Sequence, residues 1–290
     1  MIGFTLSFQG NDADEHTLDL YDASQALIGF QRSLAITTHL VLNGEVITQA
    51  PALKNARILA APPREGSWEL TAIISAVAFG SYKFLTVPKD SPLGHLIRSA
   101  YDYIVSETLG FHVDFDKSLG QQYEELKKGR ATEPPILKQS QFDSAVEKCE
   151  NAIKEMHRPI AKSQTASLAK VLYVSDSTSV KLSHDLDIYT YEYIETTIQS
   201  ERPDEIVGRV SSYNINTYKG RIFVLDEQRP LPFLLADSAR DPRTVARIVK
   251  SLSTNATDRF TSDAEIRFQA YRNTSKSGRL KSYYIVGIEE

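Results

Sequence analysis

Between positions 184 and 195 the chain reads HDLDIYTYEYIE, which gathers His184, Asp185, Asp187, Glu192 and Glu195 within twelve residues. Carboxylates and imidazoles of this kind activate water when they converge on a metal ion or a bound substrate. Closeness in sequence fits a solvated strand edge or a helix cap equally well. A metal-dependent hydrolase working through the 185–195 carboxylates is therefore carried as an alternative reading. The six histidines, His16, His39, His95, His112, His157 and His184, are scattered and form no H-x-x-x-H pair, so zinc has little support. HVDFDKSLG places Asp114 and Asp116 as a calcium loop would, but Ser118 and Leu119 stand where an acidic or amide ligand and the obligatory glycine belong. No G-x-S-x-G, P-loop, G-x-G-x-x-G or kinase signature occurs. The weight falls on a non-enzymatic protein, with no cofactor, catalytic residue or metal ligand assigned.

A second chemistry lies in the last third of the chain. If Ile206, Gly208 and Val210 of EIVGRVSSYNI face inward, Arg209, Ser211 and Tyr213 face outward; if Ile222 and Val224 of GRIFVLD face inward, Arg221 and Phe223 face outward beside Lys219. YRNTSKSGRLK adds Tyr271, Arg272, Lys276, Arg279 and Lys281 in a loop. Cations for phosphates and rings for bases are what a single-strand nucleic-acid platform needs, and Tyr and Arg equally suit a protein partner. The charge balance leans the same way. From Pro203 onward 14 Lys and Arg stand against 11 Asp and Glu; before it, 19 stand against 26, within a net charge of −4.

Local signals fix the elements that must position these residues. FTLSFQG alternates as a half-buried strand, and DASQALIGFQRSLAITTHLVLNG is an amphipathic helix, opened by an apparent Asp22/Gln25 capping box and stopped by Asn43-Gly44. ARILAAPPREGSWELTAII reads as two strands about a turn relieved by Gly66, with Trp68, Leu70 and Ala72 on one face; it lacks the glycines of a phosphate loop. SPLGHLIRSAYDYIVSETLG is a helix with Ser91 as N-cap and Pro92 in its first turn, and a shorter helix is expected around KSLGQQYEELKKG. SQFDSAVEKCENAIKEMHRP is helical with Cys149 inside its apolar stripe, hence a buried inert thiol. ASLAKVLYV and STSVKLSH are strands, and Tyr189, Tyr191 and Tyr193 share one face if DLDIYTYEYIETT is extended. After Asp204 the order is β-β-β-α-β-β, that of an OB-fold, with an SH3-like barrel as competitor.

The fold class is accordingly α+β: an N-terminal mixed domain over 1–128, a helical and connecting region over 129–202, and an OB-like barrel over 203–290. With 41% hydrophobic and 24% charged residues in 290 the chain is an ordinary globular composition, and its one cysteine fits a reducing compartment. The N-terminus carries no signal-peptide pattern, so cytoplasm is expected. LTAIISAVAFGSY is too short to span a bilayer; a membrane-active effector using residues 70–87 is the third reading, and membrane partnership is not expected.

The pairing of LDLYDASQALIGFQRSL with REGSWEL, followed by apolar helices and a small C-terminal β-domain, resembles a family of uncharacterised proteins of bacteria and their mobile elements. The resemblance implies a bacterial or prophage origin and an accessory role in phage–host conflict, and it transfers no catalytic residue. The combined expectation is a binding or adaptor protein, a sensor or accessory component in phage defence. Its barrel or N-terminal surface would engage a protein partner, a second copy of itself or single-stranded nucleic acid.

Overall fold

The computed structural model describes residues 2–61, 68–77, 84–86, 91–120, 135, 137–175, 178–258 and 261–289. The turn around Gly66 and most of the helix expected near KSLGQQYEELKKG lie outside these residues. The chain divides into two units, Met1–Ile194 and Glu195–Glu290.

At the centre of the first unit is β1 (Ile2–Gln9), whose Ile2, Phe4, Leu6 and Phe8 are buried against helices. Strands β2 (Ala56–Ala60), β3 (Glu69–Val77), β5 (Leu168–Ser175) and β6 (Thr178–Lys181) extend it in the order β2-β3-β1-β5-β6, and β4 (Phe84–Thr86) pairs with β3; every pairing is antiparallel. The opposite side of β1 carries small polar side chains. Thr5 and Thr71 share a hydroxyl hydrogen bond of 2.7 Å and Ser7 donates to Glu69 at 3.1 Å. Helices α1 (Leu20–Asn43), α2 (Pro92–Thr108) and α3 (Gln139–Met156) supply the rest of this core through Phe30, Leu34, Tyr101, Ile104, Phe142, Cys149 and Met156. Thus α3, β5 and β6, in the stretch expected to connect two domains, contribute to the core and sheet of the first unit.

Local chemistry explains most of the boundaries. Ser91 accepts from Gly94 N–H at 3.1 Å and caps α2 as expected. Helix α1 differs: its cap is Asp19, which accepts from Asp22 N–H at 2.9 Å. Asp22 itself turns inward, to Arg158 of the short α4 (Arg158–Ala161) at 2.8 Å and to Ser163 N–H at 3.0 Å. Both aspartates are competent caps, and the ion pair with Arg158 removes Asp22 from that role. The second departure is Ile188–Glu195, which is helix α5 and not a strand. Asp187 accepts from Thr190 N–H at 2.8 Å and nucleates the turn, so the three tyrosines do not share a face.

In the second unit β8 (Asp204–Asn214), β9 (Lys219–Val224), β10 (Arg229–Leu235), β12 (Leu280–Ile288) and β11 (Glu265–Thr274) close into a five-stranded barrel, β11 returning to β8; β7 (Ile198–Gln199) adds to β11. Helix α6 (Pro242–Thr257) stands between the third and fourth barrel strands and β10 runs parallel to β12, the element order expected of an OB-like barrel. Val210, Ile222, Phe233, Phe268, Tyr283 and Ile285 fill the interior.

A bulge between Val210 and Ser212 interrupts the β8–β9 register. Helix α6 satisfies the backbone there: Val210 N–H donates to Ser251 Oγ at 3.0 Å, Ser251 donates to Ala264 O at 2.6 Å, and Asn255 donates to Val210 O at 3.0 Å. Ser251→Ala leaves a buried N–H and a buried carbonyl without these partners. It is expected to destabilise the barrel by about 2 kcal/mol, measured by chemical denaturation; an unchanged midpoint would mean the bulge stands without α6.

Among the described residues no helix is long and apolar enough to cross a membrane. Residues 70–77 of the stretch considered for membrane activity lie in β3, paired on both sides.

Candidate partner-binding surface

The barrel face expected to carry cations and rings is built differently from its simple alternation. Arg209 projects outward but pairs with Glu265, its cross-strand neighbour, at 2.7 Å. Arg221 lies opposite Ser212 and Pro232 and is 4% exposed, so it is not offered to solvent. Tyr213 faces inward. The bulge adds one residue to β8, and a one-residue slip moves every later side chain to the other face. Ser212 takes the place opposite Arg221, while the Tyr213 ring stacks over Phe233 at 6.3 Å. Phe223 is half-buried, opposite Arg209, and Lys219 is half-buried at the start of β9. Tyr271 stands opposite Tyr284, and Arg272 pairs with Asp204 at 3.1 Å. Lys276 is exposed in the loop between β11 and β12. Arg267 and Glu205 add another pair at 2.9 Å. The face is laced with opposite charges, and a phosphate there would have to displace carboxylates.

The candidate hydrolytic residues have structural partners. Asp185 accepts from Lys181 at 3.1 Å, Asp187 caps α5, and His184 lies flat on Phe111 with ring centroids 3.7 Å apart. Among the described residues no three His, Cys, Asp or Glu side chains are grouped to hold a metal ion. The nearby buried imidazole is His157. Its Nδ1 lies 2.8 Å from Ile153 O, which can only accept, so Nδ1 carries the proton and Nε2 accepts from the Thr190 hydroxyl at 3.0 Å. Burial pulls this histidine down to about 4.

Cys149 is buried in α3, and burial pushes its thiol up to about 12. The folded protein is therefore expected to resist iodoacetamide at pH 8 and to alkylate only on unfolding, as read by intact mass. Rapid native labelling would contradict that burial.

A surface that the sequence did not single out lies on the first unit. Along one stripe of α1, Leu20 is 81%, Tyr21 63% and Ile28 57% exposed. The Arg158 guanidinium sits 5.1 Å over the Tyr21 ring while bonded to Asp22 and, at 3.4 Å, to Glu155. Tyr21 is thus a preoriented ring beside exposed aliphatic side chains. Upstream, the 3-10 turn Asn11–Glu15 exposes Asp12, Asp14 and Glu15. Lys162 lies 5.4 Å over the ring of Tyr191, and Tyr189 is 75% exposed. Phase was the available signal for Tyr21 and Ile28, which fall off the stripe defined by Phe30 and Leu34; Leu20 is in phase with Leu34 and is exposed as the first residue of the helix.

Residues 4–195 match a family model described as "Domain of unknown function (DUF7946)" and residues 202–289 one described as "Family of unknown function (DUF7947)". The gap between the two matches follows the division of the chain at Ile194 and Glu195. No curated protein and no solved structure matches the chain.

Proposed function

We propose, for a chain that belongs to the family described as Domain of unknown function (DUF7946), a non-catalytic binding role in which the exposed α1 surface engages a protein partner. The observation that carries this reading is the exposed stripe Leu20, Tyr21 and Ile28, with Tyr21 held under Arg158. Grouped, exposed apolar side chains mark interaction sites, and tyrosine and arginine contribute most to binding when they are desolvated. The contacts that hold Tyr21 in place reduce the entropy lost on association. The resemblance to proteins of bacteria and mobile elements supports an adaptor or sensor role in phage–host conflict as the setting for such binding.

Nucleic acid is the weaker partner because Arg209 and Arg272 already meet carboxylates. A photo-crosslinking amino acid at Tyr21, compared with one at Lys276, tests the assignment in cells. The expected result is one protein captured from Tyr21 and lost in a Leu20→Asp background. Capture of nucleic acid from Lys276, with nothing from Tyr21, would overturn it.

A further inference from the structure

Several surface charges meet a partner within their own unit: Arg158–Asp22 at 2.8 Å, Lys181–Asp185 at 3.1 Å, Arg209–Glu265 at 2.7 Å and Arg267–Glu205 at 2.9 Å. Two patches that depart from this pattern have opposite sign. In the first unit Asp12, Asp14, Glu15 and Asp19 are exposed, none meets a cation among the described residues, and they lead directly into Leu20 and Tyr21. In the second unit α6 exposes Arg243, Ala246, Val249 and Lys250 along one face, with Val249 45% exposed; neither the Arg243 guanidinium nor the Lys250 ammonium meets a carboxylate among the described residues.

Each patch therefore combines exposed apolar side chains with charges that meet no opposite charge among the described residues, and the two are complementary in sign. We infer that the two patches meet between copies: α6 of one chain seats on the α1 stripe of a second. Val249 and Ala246 cover Leu20 and Tyr21, and Arg243 and Lys250 face the acidic turn. The inference rests on the binding reading of the α1 surface and names its occupant as a second copy. It also gives the charge asymmetry of the chain a physical use, since 19 Lys and Arg against 26 Asp and Glu before Pro203 oppose 14 against 11 after it. Because the two patches differ, the contact is heterologous, and assembly closes by reciprocal contacts or a ring, or extends as a chain.

Sedimentation velocity over a concentration series tests this on the full chain. The wild type is expected to form larger species as concentration rises, and to lose them as salt shortens the screening length from about 10 Å at 0.1 M to about 3 Å at 1 M. Asp12→Lys/Glu15→Lys balances the two remaining carboxylates, Asp14 and Asp19, and cancels the charge of the acidic turn, and Arg243→Glu/Lys250→Glu gives a chain acidic on both patches. Each alone is expected to associate at least about tenfold more weakly, and an equimolar mixture to recover pairing between the two variants, because the intact α6 of the first meets the intact acidic turn of the second. Circular dichroism establishes that both variants are folded. A wild type that stays monomeric, association indifferent to both substitutions, or a mixture that does not recover would each overturn the inference. If the wild type is monomeric while Tyr21 still captures a different protein, only self-docking fails. If Tyr21 also captures nothing, the binding reading fails with it.

Discussion

Replacing Gly29 with valine is expected to lower the melting temperature of the first unit by roughly 6–12 °C, corresponding to about 3 kcal/mol in a unit of this size. Glycine inside a helix costs about 1 kcal/mol relative to alanine, so its presence in the middle of α1 requires a compensating contact. That contact is the crossing of α1 and α3. A Cβ on Gly29 would lie 2.3 Å from Ala152 O and 3.2 Å from Glu155 Cβ. The first of these is backbone, so relief requires α3 to move away. Such a shift would disturb Cys149, Ile153 and Met156, all buried, and the Ser33–Tyr101 hydrogen bond of 2.9 Å. Gly29→Ala already places the clashing atom and should show part of the loss. Gly287→Ala is the control, because nothing lies within 4 Å of its added Cβ. Thermal unfolding of the three variants decides the matter. A valine variant as stable as the wild type would mean the two helices tolerate separation.

The elements that could be read in the sequence are those whose signals are local. Ser91 and Pro92 announce α2, Asp241 and Pro242 announce α6, and alternating apolar residues set the barrel strands in their order. Where two local signals compete, a distant residue decides. Asp19 and Asp22 could each cap α1, and Arg158, far along the chain, selects Asp19 by engaging Asp22. Tyrosine alternation and a helix cap compete over 187–195, and the bond between Asp187 and Thr190, together with buried His157, favours the helix.

The candidate site was less legible because its defining facts are tertiary. Alternation along β8 is intact up to Val210, and the bulge that turns Tyr213 inward depends on Ser251 and Asn255 of α6. Alternation correctly points Arg221 away from the core, yet its burial is set by surroundings that a strand pattern does not encode. Leu20, Tyr21 and Ile28 read simply as helix-forming apolar residues. The exposure of Tyr21 and Ile28 follows from which face of α1 the core covers, since the stripe through Phe30 and Leu34 takes the other side, and that of Leu20 from its place at the start of the helix.

Acidification should separate the two units. His157 is neutral in the fold and pulled from its ordinary value of 6.5 to about 4, chiefly by burial. Between those two values the unfolded chain binds a proton that the folded one does not, so stability is retained above about pH 6.5 and is lost as pH falls toward 4. With roughly 1.4 kcal/mol per pKa unit, the first unit loses about 3 kcal/mol across that window. His39, also lowered by burial, adds to the loss in the same direction. His157→Gln removes the larger contribution: the variant should be less stable at neutral pH, and its stability should vary with pH only through the residual slope from His39. All six histidines precede residue 195, so the barrel has no imidazole to protonate. Denaturant unfolding at pH 7 and pH 5, followed by Trp68 fluorescence for the first unit and by far-ultraviolet circular dichroism for both, should show the tryptophan transition moving to lower denaturant while a later transition stays in place. A tryptophan transition that does not move would mean that His157 is already solvated in the folded state, and its hydrogen bond to Thr190 would then not be what holds the end of α3 against α5.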